Sequence, residues 1–209
     1  MYSTEPEDKK QFRQEFDRFY GRFAKLYDWT VKIFPVWRNW ISQAIPHIVG
    51  PKVLEVSFGT GYLLTQYANN FETCGIDYNW ELTCIAKRNL EANHVQAAIQ
   101  QADIEHLPYR AETFNTVVNT MAFSGCPNGR RAMAEIYRVL QGNGRFVLID
   151  INYPENRNWV GMKLARFWAS TGDIIRDMGQ LFSQAKFHYV EKEVGGFGTV
   201  HLYVATKIG

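Results

Sequence analysis

Five short apolar runs, each followed by a stretch with helical spacing, set the plan of this chain. Residues 52–56 (KVLEV), 72–77 (ETCGID), 95–101 (VQAAIQQ), 114–120 (FNTVVNT) and 144–151 (GRFVLIDI) read as strands. Between them, apolar residues recur three or four positions apart over 60–69, 80–92 and 129–140, which predicts helices. Strands that alternate with helices imply βαβ units, hence a parallel sheet with helices on both faces. The tail is different. KFHYVEKEV (186–194) and TVHLYVATK (199–207) flank GGFG and read as a β-hairpin, so an antiparallel strand is expected at one edge of the sheet. The expected fold class is α/β, with seven strands, mostly parallel.

A length of 209 residues suits one domain in four parts. These are a helical, aromatic segment (1–45), a ligand-binding core (50–151), a helical bridge (153–185) and the hairpin (186–207). Hydrophobic residues at 46% can bury a sizeable core, and a net charge of +2 gives no reason to expect a nucleic-acid partner. The polar, acidic start MYSTEPEDKKQF does not read as a secretion signal, and no apolar run is long enough to cross a membrane. Cys74, Cys84 and Cys126 have no metal spacing, and their odd number suits reduced thiols in a cytoplasmic protein. The five histidines are scattered. No metal is expected.

Chemistry concentrates where the strands end. In VLEVSFGTGYLL, a strand runs into a glycine turn and then a helix, an arrangement that cradles nucleotide-like ligands. Glu55 precedes the turn, Asp77 ends the second strand, and Asp103 follows the third. A carboxylate at the second position can accept both hydroxyls of a ribose, and one at the third can accept an adenine amino group. Tyr78 and Ile104, beside these acids, can sandwich the base. A dinucleotide fits less well. Leu64 stands where a GxGxxG site has its third glycine, and Glu55 repels a pyrophosphate but suits a cation.

These residues resemble the class I S-adenosylmethionine-dependent methyltransferases, especially the small-molecule branch that acts on ubiquinone/menaquinone precursors and lipid headgroups. The family pattern [D/E]xGxGxG is met by Glu55-x-Ser57-x-Gly59-x-Gly61, then by Asp77 and Asp103. ADIEHLPYRAETFNTVV and AEIYRVLQGNGRFVLID are similar to two further family runs. The resemblance implies a Rossmann-like fold, S-adenosylmethionine as cofactor, and a small-molecule or lipid-like acceptor. Its cofactor-side residues are Glu55, Ser57, Gly59, Gly61, Asp77, Tyr78, Asp103, Ile104 and Asn119.

Ser57 departs from the pattern, which has glycine there. Its Cβ discourages positive φ, so the expectation is a backbone at negative φ, with the hydroxyl either merely tolerated or bonded to the cofactor. Cys126 is expected to be an inert loop thiol. Asp150 ends the fifth strand and either meets the acceptor or caps the segment that follows. Phe12, Phe16, Phe19, Phe23 and Leu26 fall at helical spacing among basic residues. That helix is core packing, a lid that brings Tyr27 to the methyl-transfer site, or, over residues 10–30, a peripheral membrane contact. Two other functions remain: a SAM-binding protein without catalysis, and a nicotinamide oxidoreductase.

Overall fold

A computed structural model describes residues 2–3, 6–9, 11–12 and 35–208. Of the N-terminal segment expected as a lid (1–45), residues 13–34, with Phe16, Phe19, Phe23, Leu26 and Tyr27, lie outside the described residues.

β1 (Lys52–Val56) is buried from Val53 to Val56, as a central strand covered on both faces must be. It pairs in parallel with β2 (Glu72–Asp77) on one side and β4 (Phe114–Thr120) on the other. β3 (Ala98–Gln101) extends the sheet beyond β2, and β5 (Leu140–Ile151) extends it beyond β4. The order of the seven strands is β3-β2-β1-β4-β5-β7-β6. The chain builds outward from β1 to β3, then crosses back to β4. That reversal opens a crevice at the carboxyl ends of β1 and β4, the switch point where ligands of such sheets bind.

The hairpin is confirmed, with one addition. β7 (Val200–Lys207) runs antiparallel to β5, and β6 (Phe187–Gly195) runs antiparallel to β7. The last strand is therefore internal and β6 forms the edge. Alternation along the strands fills two cores. Leu54, Val56, Val117, Phe146 and Leu148 join Phe182 and Tyr203 on one face. Val53, Val118, Val147 and Ile149 join Leu63, Leu64 and Tyr67 on the other.

Helix α1 (Pro35–Ser42) precedes the sheet. The helix expected over 60–69 shortens to α2 (Leu64–Tyr67) and a 3-10 turn, because the glycine turn extends to Gly61. α3 (Trp80–Ala92) starts at Asn79, whose side chain accepts the Leu82 N–H at 2.8 Å. The third strand begins three residues later than expected. Val95 N–H is bonded to Leu90 O at the end of α3 and Gln96 N–H to Asn69 Oδ1, so neither is left for the ladder. α4 (Gly129–Val139) passes directly into β5, which starts at Leu140 rather than 144. The bridge holds α5 (Trp159–Ser170) and α6 (Met178–Gln184).

Candidate active site

The floor of the crevice is the turn that leaves β1. Ser57 stands at φ 57°, in the left-handed region, which corrects the negative φ expected for it. Geometry overrides the preference of its Cβ here. The turn must bend while Ser57 N–H still reaches Ile76 O of β2, at 2.7 Å. Gly59 (φ 59°) follows, and its N–H donates to Asp77 Oδ2 at 2.8 Å. Gly61 (φ 76°) serves packing: a Cβ there would lie 3.0 Å from Ala86 Cβ, so its absence lets α3 come close.

A cavity opens above this turn. Glu55, Ser57, Gly59, Asp77, Tyr78, Asp103 and Ile104 all line it. Asp77 is buried and held from two sides, since its Oδ1 also accepts Asn79 N–H at 2.9 Å. Fixed in this way, its remaining lone pairs suit a vicinal diol. Asp103 is steadied by Glu105 N–H, 2.9 Å from Oδ1. Tyr78 is exposed and Ile104 buried, giving one aromatic and one aliphatic wall.

Glu55 is fully buried and accepts a hydrogen bond from Tyr67 Oη at 3.0 Å. Burial, reinforced by the nearby Asp77 charge and opposed by the Tyr67 hydrogen bond, pushes its carboxyl up to about 8. A cationic group beside it would favour the carboxylate. Asn119 donates from Nδ2 to Val56 O at 3.0 Å, and its buried Oδ1 has no partner. Gly61 and Asn119 do not line the cavity.

The opposite side of the cavity is apolar. Trp37 and Ile41 come from α1, and Met121, Ala122 and Pro127 from the segment after β4. The sequence reading missed these residues. The only signal was the pair Trp37 and Trp40, three apart and with rings 6.2 Å from each other. α1 also reaches the floor turn, where the Arg38 guanidinium lies 4.8 Å over the Tyr62 ring.

Asp150 is buried and does not line the cavity. Its carboxylate accepts Ser124 N–H at 2.6 Å and Ile151 N–H at 2.8 Å, and lies 3.0 Å from Ser124 Oγ. Ser124 Oγ is also 2.9 Å from Asp173 Oδ1. Burial, with Asp173 adding to it and these hydrogen bonds opposing, pushes Asp150 up to about 7. Arg176 binds the carbonyls of Phe123 and Cys126. Asp150, Asp173 and Arg176 thus clamp the turn Phe123–Gly125 behind the apolar wall. Cys126 lines the cavity, but burial pushes its thiol up to about 12, so it stays protonated and a poor nucleophile.

Three acids at or beside strand ends and a tight glycine turn fit an adenosine that carries a cationic amino-acid tail. Fold and site together define a class I S-adenosylmethionine-dependent methyltransferase. Residues 54–148 match the family described as "Methyltransferase domain". S-adenosylmethionine is the cofactor.

The chain is 27% identical to a demethylmenaquinone methyltransferase of Thermotoga maritima, over 82% of this chain and 75% of that one. It is 22% identical to the ubiquinone/menaquinone biosynthesis C-methyltransferase UbiE of Geotalea daltonii, over 94% and 87%. Among solved structures, geranyl diphosphate C-methyltransferase of Streptomyces coelicolor A3(2), in complex with Mg2+, geranyl diphosphate and S-adenosyl-L-homocysteine, shares the fold. It aligns with a TM-score of 0.76 at 13% identity, over 97% of this chain and 100% of that one. The nicotinamide alternative is not favoured. Leu64 is fully buried in the core, where a dinucleotide site needs a glycine. No helix among the described residues is long and apolar enough to cross a membrane.

Proposed function

We propose that the chain methylates a carbon of an apolar, quinone-like ring. The observation that carries this reading is the makeup of the cavity wall. Trp37, Ile41, Met121, Ala122 and Pro127 bring no charge, and the cavity's acids, Glu55, Asp77 and Asp103, all stand at the ends of β1–β3. An acceptor with a charged headgroup would need a counter-ion on the apolar side. The names of the quinone-methylating relatives support the same class.

When bound, S-adenosylmethionine supplies a methyl group on a positively charged sulfur. The chain's own part is positioning and exclusion of water. Asp77 and Asp103 fix the nucleoside, and Glu55 receives the cationic tail. Trp37 and Met121 hold a flat acceptor against the reacting side. The clamped turn Phe123–Gly125 keeps that wall in place, with Asp150 as a positioning residue.

Transfer of labelled methyl from S-adenosylmethionine tests the reading, with reduced demethylmenaquinone and phosphatidylethanolamine offered in the same detergent. Label in the quinone supports it. Label only in the phospholipid amine overturns it.

A further inference from the structure

α5 presents two unlike faces. Inside, Ala165 packs with Ile151 and Ile175, and Met121 and Trp168 lie against them. Outside, Trp159, Lys163 and Phe167 follow one another at four-residue steps and form a stripe. Trp159 is 70% exposed and Phe167 57%. Lys163 Nζ lies 4.9 Å over the Trp159 ring. Arg166 and the preceding Arg157 are exposed beside them.

A third exposed aromatic joins this stripe from the hairpin. Phe197 is 69% exposed at the tip between β6 and β7. It abuts the start of α5: Asn158 Nδ2 donates to Phe197 O at 2.9 Å, and a Cβ on Gly161 would lie 2.5 Å from that same oxygen. Phe197 stands at φ 55°, a region that bulky residues avoid. A strained and solvent-facing phenylalanine contributes little to the fold. The charged residues of α5 are all basic. Glu155 and Glu193 sit together at one side, with Glu155 N–H bonded to Glu193 Oε1 at 2.6 Å, and Asp173 follows the helix, with its N–H on Trp168 O at 3.3 Å and its carboxyl turned to Ser124.

This face is tied to the cavity by a run of rings. Phe167 lies 5.8 Å from Trp168, and Trp168 lies 6.4 Å from Trp37, which lines the cavity.

We propose that the outer face of α5, with the Phe197 tip, docks the protein on the surface of an anionic lipid bilayer. Three large aromatics on a helix ridge and a loop tip, with cations between them and no acid in the stripe, match what the interface requires. Indole and phenyl rings settle at the headgroup level, while Lys163 and Arg166 meet lipid phosphates. The same face lies one ring beyond the wall of the acceptor cavity, so docking sets that wall next to the lipid. The docking does not depend on the identity of the acceptor, and failure of quinone methylation would leave the binding measurement standing.

The test is co-sedimentation of the full-length protein with vesicles of phosphatidylcholine alone and of phosphatidylcholine mixed with phosphatidylglycerol. The protein should pellet with the mixed vesicles, and high salt should release it. Lys163→Glu with Arg166→Glu, and separately Trp159→Ser with Phe197→Ser, should each weaken binding about tenfold or more. S-adenosylmethionine affinity should stay unchanged and serves as the control for folding. If a charge-reversed protein fails that control, Lys163→Gln with Arg166→Gln replaces it. Absence of wild-type binding, or equal binding by both double variants, overturns the proposal. A wild-type dimer in sedimentation velocity that both variants dissolve would assign the face to a second copy, and also overturns it.

Discussion

The two halves of the cavity are built in opposite ways. On the cofactor side, Asp77 and Asp103 are held by backbone N–H groups, and Glu55 by the Tyr67 hydroxyl twelve residues on. Asp77 is held by Gly59 and Asn79, and Asp103 by Glu105. On the acceptor side, Trp37 and Met121 come from elements far apart in the chain, and the turn behind them is held by Asp150, Asp173 and Arg176. The first half is a local motif. The second is a tertiary assembly, and it is the half in which the proposed function places specificity.

Loss of Asp77 should separate the halves most sharply. Asp77→Ala removes a charged acceptor from Gly59 and Asn79 and from the proposed ribose contact. At about 1.5–3 kcal/mol for each charged hydrogen bond, calorimetry should show S-adenosylmethionine affinity falling between tenfold and several hundredfold. Trp37→Ala probes the other half. Methyl transfer should lose roughly tenfold in kcat/KM for the acceptor, since burial of a large side chain is worth about 1.5–3 kcal/mol, with cofactor affinity nearly unchanged. An equal loss of cofactor binding would erase the distinction.

The third way to sharpen the contrast is pH. Glu55 has its folded carboxyl at about 8 against an ordinary 4.5, so the ligand-free protein holds an extra proton between those values. Asp150 does the same between about 7 and 3.8. Both carboxyls are raised, so stability of the ligand-free protein should fall as pH rises through these windows. Affinity for the cationic cofactor should move the other way and rise toward pH 8, by at most about tenfold per unit, with a proton released. Calorimetry in buffers of different ionisation enthalpy measures that proton, and Glu55→Gln should abolish it. The smallest effect expected is that of Ser57→Gly. Relief of left-handed strain, about 1–2 kcal/mol, less the added freedom of the unfolded glycine, about 0.4–1 kcal/mol, leaves a modest gain. The thermal midpoint should rise by a few degrees and cofactor affinity should not fall.

What could be read from the chain divides along the same line. Strand number, the hairpin and the acids at strand ends follow from alternation and spacing, which act over a few residues. Val95 and Gln96 fall outside the third strand because Leu90 and Asn69 claim their N–H groups, a competition that no local pattern displays. Ser57 takes a positive φ against expectation because a side chain's own preference is weaker than the demand of the turn it occupies. Asp150 was correctly placed at a strand end, yet its neighbours Ser124 and Asp173 arrive from elsewhere in the chain. Beyond the pairing of Trp37 with Trp40, no local pattern marks Trp37 and Ile41 as a wall, because the cavity they face is completed by residues after β4, far along the chain.

Ser124 sets an arithmetic of hydrogens. Its hydroxyl owns one, and stands within 3.0 Å of Asp150 and 2.9 Å of Asp173. One hydrogen makes only one full bond, and burial, which raises both carboxyls, favours a second proton on one of them. A guest proton thus joins Arg176 and the Ser124 N–H in latching the turn Phe123–Gly125. Two bare carboxylates sharing that hydroxyl would repel each other, and the latch would be left with one hook for two eyes.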